Sequence, residues 1–262
     1  KKELRHAERI IISACGSAYL AGLVGKYMIE SCAGIPVEID TASEFRYRTP
    51  IFRPHDIFVA VSQSGETADT LASLSEAKLK GIYTLGVVNV VGSTIARETD
   101  AGVYNHVGPE IGVAATKSFL SQVAILSLLA VHLARERRMP SSEGARILAE
   151  LARIQSLIES ILLRANEIEK FANHCKEAKN FFFIGRKYHY PLALEGALKL
   201  KEIAYVHAEG YGAGELKHGP IALIDSTFPT VALALQDSVY EKMLSNIQEI
   251  KARRGPVFAI GT

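Results

Sequence analysis

Between Leu194 and Pro220 the chain reads LEGALKLKEIAYVHAEGYGAGELKHGP, with acids, bases and glycines set in an otherwise apolar neighbourhood. Pro191 suits a first helical turn, where its missing N–H costs little, and the pattern predicts a helix from about Pro191 to Ala204. On that helix Glu195, Lys199 and Glu202 fall at i, i+4 and i+7, along one face. Leu192, Leu194, Ala197, Leu198, Leu200 and Ile203 fill the other faces. A glycine-containing turn then leads to Glu215, Lys217 and His218. Carboxylates, lysines and a histidine in so short a span suit proton transfer on a small polar substrate. Spacing alone leaves a second reading open. Glu195 and Lys199 are also an ordinary helix pair worth about 0.2–0.5 kcal/mol, and Glu-Leu-Lys-His also reads as a solvated loop.

A second cluster, Ser62-Gln63-Ser64-Gly65-Glu66-Thr67, follows the apolar run Ile57–Val61 and precedes a helical stretch. The carboxyl end of a parallel strand is where α/β proteins bind ligands. The following helix offers free backbone N–H groups and the positive end of its dipole. Ser62, Ser64 and Thr67 add hydroxyl donors, and Gly65 lets the backbone approach an anion closely. There is no GxxxxGK[ST] motif, no obligatory lysine and no Mg²⁺ carboxylate, so the loop reads as a cradle for a phosphomonoester such as a sugar phosphate. The plainer alternative is a helix start whose Ser and Thr serve only as caps. Cys15-Gly16-Ser17 ends the first strand and falls near the same place. Cys15 reads as a small strand-end residue before a nucleophile, since no base neighbours it in sequence.

These residues need a scaffold, and its elements alternate. Ile10–Ala14, Ile57–Val61, Tyr83–Val88 and Val103–His106 read as strands. Helices are expected near Ala18–Ala33, Thr67–Lys80 and Thr116–Arg138. Such alternation implies a parallel sheet covered on both faces. The second half repeats the plan: Phe181–Gly185 matches Ile11–Gly16, and the helix from Pro191 matches the one from Ala18. Glu209–Glu215 matches a turn at Thr41–Glu44, Val231–Leu235 matches Ile57–Val61, and Glu241–Arg253 with Val257–Ile260 matches Ala68–Lys80 with Tyr83–Val88. The chain therefore divides into a first unit at 1–140, a helical connection at 141–179, and a second copy at 180–262. Both are expected to be three-layer α/β/α units with parallel sheets. The second lacks a counterpart of the strand and long helix that close the first, and is expected to be incomplete at its C-terminus.

Composition narrows the function classes. With 262 residues, 48% hydrophobic and 22% charged, this is a folded globular chain. A net charge of +2 argues for neither nucleic acid nor an anionic membrane as partner. Cys15, Cys32 and Cys175 form no CxxC pair, which fits a reducing compartment, and the eight histidines show no metal-ligand spacing. The apolar run Phe119–Ala134 is interrupted by polar residues and reads as a core helix, not a membrane span. No leader is visible, so the cytoplasm is the expected location.

The two repeats, the SQSGET loop and the LEGALKLKE…AGELKHGP blocks together resemble the isomerase domain of the glutamine–fructose-6-phosphate aminotransferases, which is built from sugar isomerase (SIS) units. The segments ASEFRYR (Ala42–Arg48), NVVGSTIARETD (Asn89–Asp100) and GPEIGVAATKSF (Gly108–Phe119) extend the resemblance over essentially the whole chain. SQSGE alone indicates only a SIS domain, whereas the KLKE and ELKHGP blocks are more specific. The resemblance implies that Ser62, Gln63, Ser64 and Thr67, with Ser17, hold the phosphate and sugar of fructose 6-phosphate, and that the Val113 backbone contacts it. Glu202 matches the base that moves a proton between C1 and C2, Lys199 its neighbour, and His218 a histidine tied to ring opening and supplied across a subunit interface. A homodimer, a glutaminase domain in the full-length protein, no metal and no cofactor are also implied. Ketose–aldose conversion agrees with these residue types, since it needs an open-chain sugar, one base spanning two carbons and stabilisation of an enolate-like charge.

Two positions depart from the family pattern. Ala18 and Ala115 stand where serine is usual, so two hydroxyl contacts to the sugar, each about 0.5–1.5 kcal/mol, are expected to be absent. The glutaminase domain and the tail carrying a Schiff-base lysine lie outside this sequence, so the chain is expected to bind sugar phosphate without completing the reaction alone. Two alternatives stand beside the synthase reading: a related sugar-phosphate deaminase or deglycase, and a non-catalytic SIS module that senses sugar phosphates.

Overall fold

The computed structural model describes residues 2–261. In chain order its elements are α1 (Lys2–Arg5), β1 (Arg9–Ala14), α2 (Gly16–Ala33), β2 (Val37–Thr41), α3 (Ala42–Phe45), β3 (Asp56–Ser62), α4 (Ala68–Leu79), β4 (Tyr83–Val88), α5 (Thr94–Glu98), β5 (Ala101–Tyr104) and α6 (Lys117–Arg135). There follow α7 (Ser141–Ala152), α8 (Ile154–Leu162), α9 (Ala165–Cys175), β6 (Asn180–Gly185), α10 (His189–Ala204), β7 (His207–Gly212), two 3-10 segments (Ala213–His218 and Pro220–Leu223), β8 (Thr230–Ala234), α11 (Tyr240–Ala252) and β9 (Val257–Gly261). The chain forms two compact units that divide between Ala149 and Glu150, inside α7.

The first unit is built on a five-stranded sheet in the order β2-β1-β3-β4-β5, parallel throughout. Its strands are apolar on both sides because both sides are covered. Ile10, Ile12, Ile57, Val59 and Val61 face a core shared with Ile29, Ala130 and Leu133 of α2 and α6. The alternate residues Ile11, Phe58 and Ala60 meet Phe45, Leu74, Ala77 and Ile95 of α3, α4 and α5. Two glycines let α2 lie close to both neighbours. A Cβ on Gly22 would sit 2.6 Å from Ile39, and one on Gly25 would sit 3.0 Å from Leu126 of α6. α6 is long and apolar enough to cross a membrane by composition, yet half of it is buried in this packing. α2 stops at Gly34, whose φ of 65° is the left-handed position glycine adopts without cost.

The second unit repeats the arrangement in a smaller form, β7-β6-β8-β9, again parallel throughout. Phe182, Ile184, Ala232 and Ala234 pack on Met243, Ile247 and Ile250 of α11 and on Leu216. Phe181 and Ala208 face Ala197 of α10 and Cys175 of α9. Residues 141–175 form three helices, α7 to α9. The expected turn at Thr41–Glu44 is the end of β2 running into α3, and the expected turn at Glu209–Glu215 is instead the body of β7 followed by a 3-10 segment; β2 and β7 pair with β1 and β6. In both sheets the strand order reverses between the first and third strands of the unit. That switch point opens a crevice at the carboxyl ends of β1 and β3, and another between β6 and β8.

Candidate active site

The loop after β3 sits at the first switch point, beside the β1 end that carries Cys15, Gly16 and Ser17. Its shape is set by its own hydroxyls. Ser62 Oγ accepts from the Gly65 N–H at 3.0 Å and lies 3.1 Å from Thr67 Oγ1. Ser64 Oγ accepts from the Glu66 N–H at 3.1 Å. Thr67 begins α4 without capping it through its side chain, because that hydroxyl is turned toward Ser62. Gly65 has φ 68°, and a Cβ there would lie 2.1 Å from Ser93 Oγ. A second strap ties the loop to the neighbouring segment: Ile95 N–H donates to Gly65 O, and Thr94 N–H donates to Glu66 Oε1 at 2.8 Å. The loop is therefore a preformed bend of hydroxyls and amides at a helix N-terminus, the arrangement that suits a phosphate.

Gln63 borders a cavity of about 470 Å³ shared with Asn89, His106, Gly108 and Glu110. Two residues outside the sequence expectations shape this wall. Asn89 is buried and pins the segment after β5, donating to Gly108 O at 2.8 Å and accepting from Val107 N–H at 3.0 Å. Glu110 caps α6 from six residues upstream, accepting from Thr116 N–H at 2.7 Å, Lys117 N–H at 3.1 Å and the Ser118 hydroxyl. Val113 lies between these anchors and is 95% exposed. Ala18 packs against the α2–α6 core. A larger cavity of about 690 Å³ opens at the opposite, amino ends of the strands. Its buried Asp56 is committed to Arg9 at 2.5 Å, which marks it as structural.

Burial works against ionisation of Glu110, but the hydrogen bonds from Ser118 and Thr116 outweigh it and hold its carboxyl below the usual range. A lowered pKa contributes stability above the ordinary carboxyl range that is lost as pH falls through the folded-state value. Glu110→Ala is expected to cost about 1–2 kcal/mol at pH 7, the scale of a lost helix cap. Thermal melting at pH 7 and pH 3.5 checks this: the gap between wild type and variant should narrow in acid.

In the second unit the expected proton-transfer groups come together on α10. Lys199 Nζ lies 2.5 Å from Glu202 Oε2 and 3.4 Å from Glu195 Oε1. Lys199 and Glu202 are mostly buried, and Glu195 is only 6% exposed. The i, i+4, i+7 stripe is thus an ion-pair chain that runs from a buried Glu195 to a partly exposed Glu202. His218 ends the first 3-10 segment in an exposed position, as do Glu215 and Lys217, outside that chain of ion pairs. On β7, burial and the adjacent Glu209 push the Tyr211 hydroxyl up to about 12, so this phenol stays protonated at neutral pH. Burial also raises the Cys32 and Cys175 thiols.

The second switch point does not duplicate the cradle. There Asp237 Oδ1 accepts from Val239 N–H at 2.9 Å, so the loop after β8 already carries its own anion. Arg186, after β6, is spent on Asn246 Oδ1 at 2.8 and 3.0 Å.

The model of the SIS domain family matches residues 3–132 and 175–261. The chain belongs to the SIS domain family. Among SIS proteins it is 52% identical over 259 residues to glutamine–fructose-6-phosphate aminotransferase [isomerizing] of Chlorobaculum tepidum, covering 99% of this chain and 42% of that protein. Its fold superimposes with a TM-score of 0.97 on the C-terminal domain of glucosamine-fructose-6-phosphate aminotransferase from Francisella tularensis, at 40% identity over 99% of this chain and 74% of that one. Glucosamine-6-phosphate deaminase from Thermotoga maritima shares the fold, with a TM-score of 0.82 and 22% identity over 98% of this chain and 76% of that one. The chain spans about two-fifths of the curated aminotransferase it matches.

Proposed function

We propose that this chain is the sugar-phosphate isomerase part of a glutamine–fructose-6-phosphate aminotransferase, which makes glucosamine 6-phosphate from fructose 6-phosphate and glutamine-derived ammonia. The observation that carries this reading is the half-buried Lys199–Glu202 pair, backed by the buried Glu195, in a SIS chain that also has a preset Ser62–Thr67 loop. A sensor of sugar phosphates needs the loop alone, and a partly desolvated lysine between two carboxylates, one of them buried, would burden it for no return. Ser62, Gln63, Ser64 and Thr67, with Ser17, take the phosphate and nearby hydroxyls, and the Val113 backbone contacts the sugar. Glu202 removes the proton from one carbon of the open-chain sugar and returns it to the next. Lys199 offsets the negative charge that develops on the substrate oxygens. His218 serves ring opening and comes from the second subunit of a homodimer, which also explains an exposed histidine. The segment 141–179 connects the two SIS units. A glutaminase domain elsewhere in the polypeptide supplies the ammonia, in the cytoplasm.

Soaking fructose 6-phosphate into crystals of this chain tests the reading. The phosphate is expected against Ser62–Thr67, and the isolated chain is expected to make no glucosamine 6-phosphate from glutamine. Phosphate density elsewhere, or glutamine-dependent product, would overturn it.

A further inference from the structure

Glu195 has no part in the chemistry above, yet among the described residues only it and Asp56 are buried acids. Asp56 is accounted for by Arg9. Burying a carboxylate is costly unless a cation and hydrogen bonds compensate, so its place and partner are informative. Its burial is built into the packing of α10. A Cβ on Gly196 would meet the Phe183 ring at 2.8 Å, and a Cβ on Gly210 would meet the Leu194 backbone at 2.6 Å. The helix is thus pressed onto β6 and β7 on either side of Glu195. The cation at hand is Lys199, whose ammonium lies between Glu195 at 3.4 Å and Glu202 at 2.5 Å.

We propose that Glu195 is a positioning residue that holds the Lys199 ammonium beside the substrate-facing carboxylate while Glu202 gains and loses its proton. The inference rests on the proton-transfer role proposed above for Glu202. A base alternates between carboxylate and acid, and in the acid form its pull on a neighbouring ammonium is lost. A long lysine stem has much rotamer entropy to regain, so a lysine held by Glu202 alone is released at the moment its charge is needed. A second carboxylate that takes no part in the transfer keeps it in place through both half-steps. The same carboxylate stops Lys199 from pairing wholly with Glu202, which leaves that base better able to accept a proton from carbon.

The test follows exchange of the C1 and C2 hydrogens of fructose 6-phosphate with solvent deuterium by proton NMR, in the full-length protein that contains this chain. Glu195→Gln is expected to lower kcat about tenfold with KM changed by less than about threefold, a coupling typical of residues in one ion-pair network. Glu195→Asp keeps the charge and is expected to recover part of the rate, which also covers the case in which the Gln variant folds poorly. In a Lys199→Met background Glu195→Gln should cost nothing more. An unchanged kcat in Glu195→Gln, or the same tenfold loss with and without Lys199, would overturn the inference. Exchange abolished by Glu202→Gln but intact in Glu195→Gln overturns this inference alone. No exchange by the wild type overturns the proposed function and this inference with it.

Discussion

In the full-length protein Glu202→Gln is expected to lower turnover of fructose 6-phosphate about a thousandfold while leaving its binding within a few-fold of wild type. General acid–base groups contribute about 10²–10⁴ in rate. Gln keeps the size of the side chain and an oxygen able to accept a hydrogen bond, but it cannot carry a proton between two carbons. Lys199 loses its 2.5 Å partner and keeps Glu195, so the helix retains a paired ammonium and the fold is expected to survive. Binding is assigned to the Ser62–Thr67 loop of the other unit, whose hydrogen bonds the substitution does not touch. Calorimetric titration with fructose 6-phosphate and a coupled turnover assay separate the two effects. Turnover within tenfold of wild type would remove Glu202 from the mechanism. Loss of binding together with turnover would show that the helix, and not the proton transfer, had been damaged.

How much of this was legible in the sequence depended on how local each feature is. β1 and β3 stand out because both faces are buried, which forces runs such as Ile10–Ile11–Ile12 and Ile57–Phe58–Val59. β2 and β7 were hidden for the opposite reason. They are edge strands, mostly half-buried, and the polar VEIDT and glycine-rich HAEGYG carry little strand signal. Gly210 is required there because Leu194 of α10 comes so close. The Ser62–Thr67 loop was legible because its hydrogen bonds close within five residues. The Asn89 strap and the Glu110 cap were not, since their partners lie up to 19 and 8 residues away and neither matches a local capping pattern. The spacing of Glu195 and Lys199 was correct and uninformative. An i,i+4 pair looks the same in water and in a core, and only the close packing of Gly196 and Gly210 decides between them.

Gly65→Ala is expected to weaken sugar-phosphate binding by about a hundredfold while leaving the core of the first unit folded. Two independent costs meet at this residue. Its φ of 68° is a left-handed conformation that costs a non-glycine residue about 1 kcal/mol or more. The added Cβ would also stand 2.1 Å from Ser93 Oγ and 2.5 Å from Ser93 Cβ, and Ser93 is itself buried, so it has little room to retreat. Relief must come from the loop. Moving it breaks the Gly65 N–H bond to Ser62 Oγ and misaligns the hydroxyls of Ser62 and Thr67. Hydrogen bonds to a charged group are worth about 1.5–3 kcal/mol each, and losing one or two of them accounts for the hundredfold. A double variant distinguishes the two costs. Ser93→Gly in the Gly65→Ala background removes the collision but not the backbone strain, so titration should show affinity recovering in part. Full affinity in Gly65→Ala alone would mean that the phosphate does not depend on this bend. A double variant no better than the single one would place the whole cost in the backbone of residue 65.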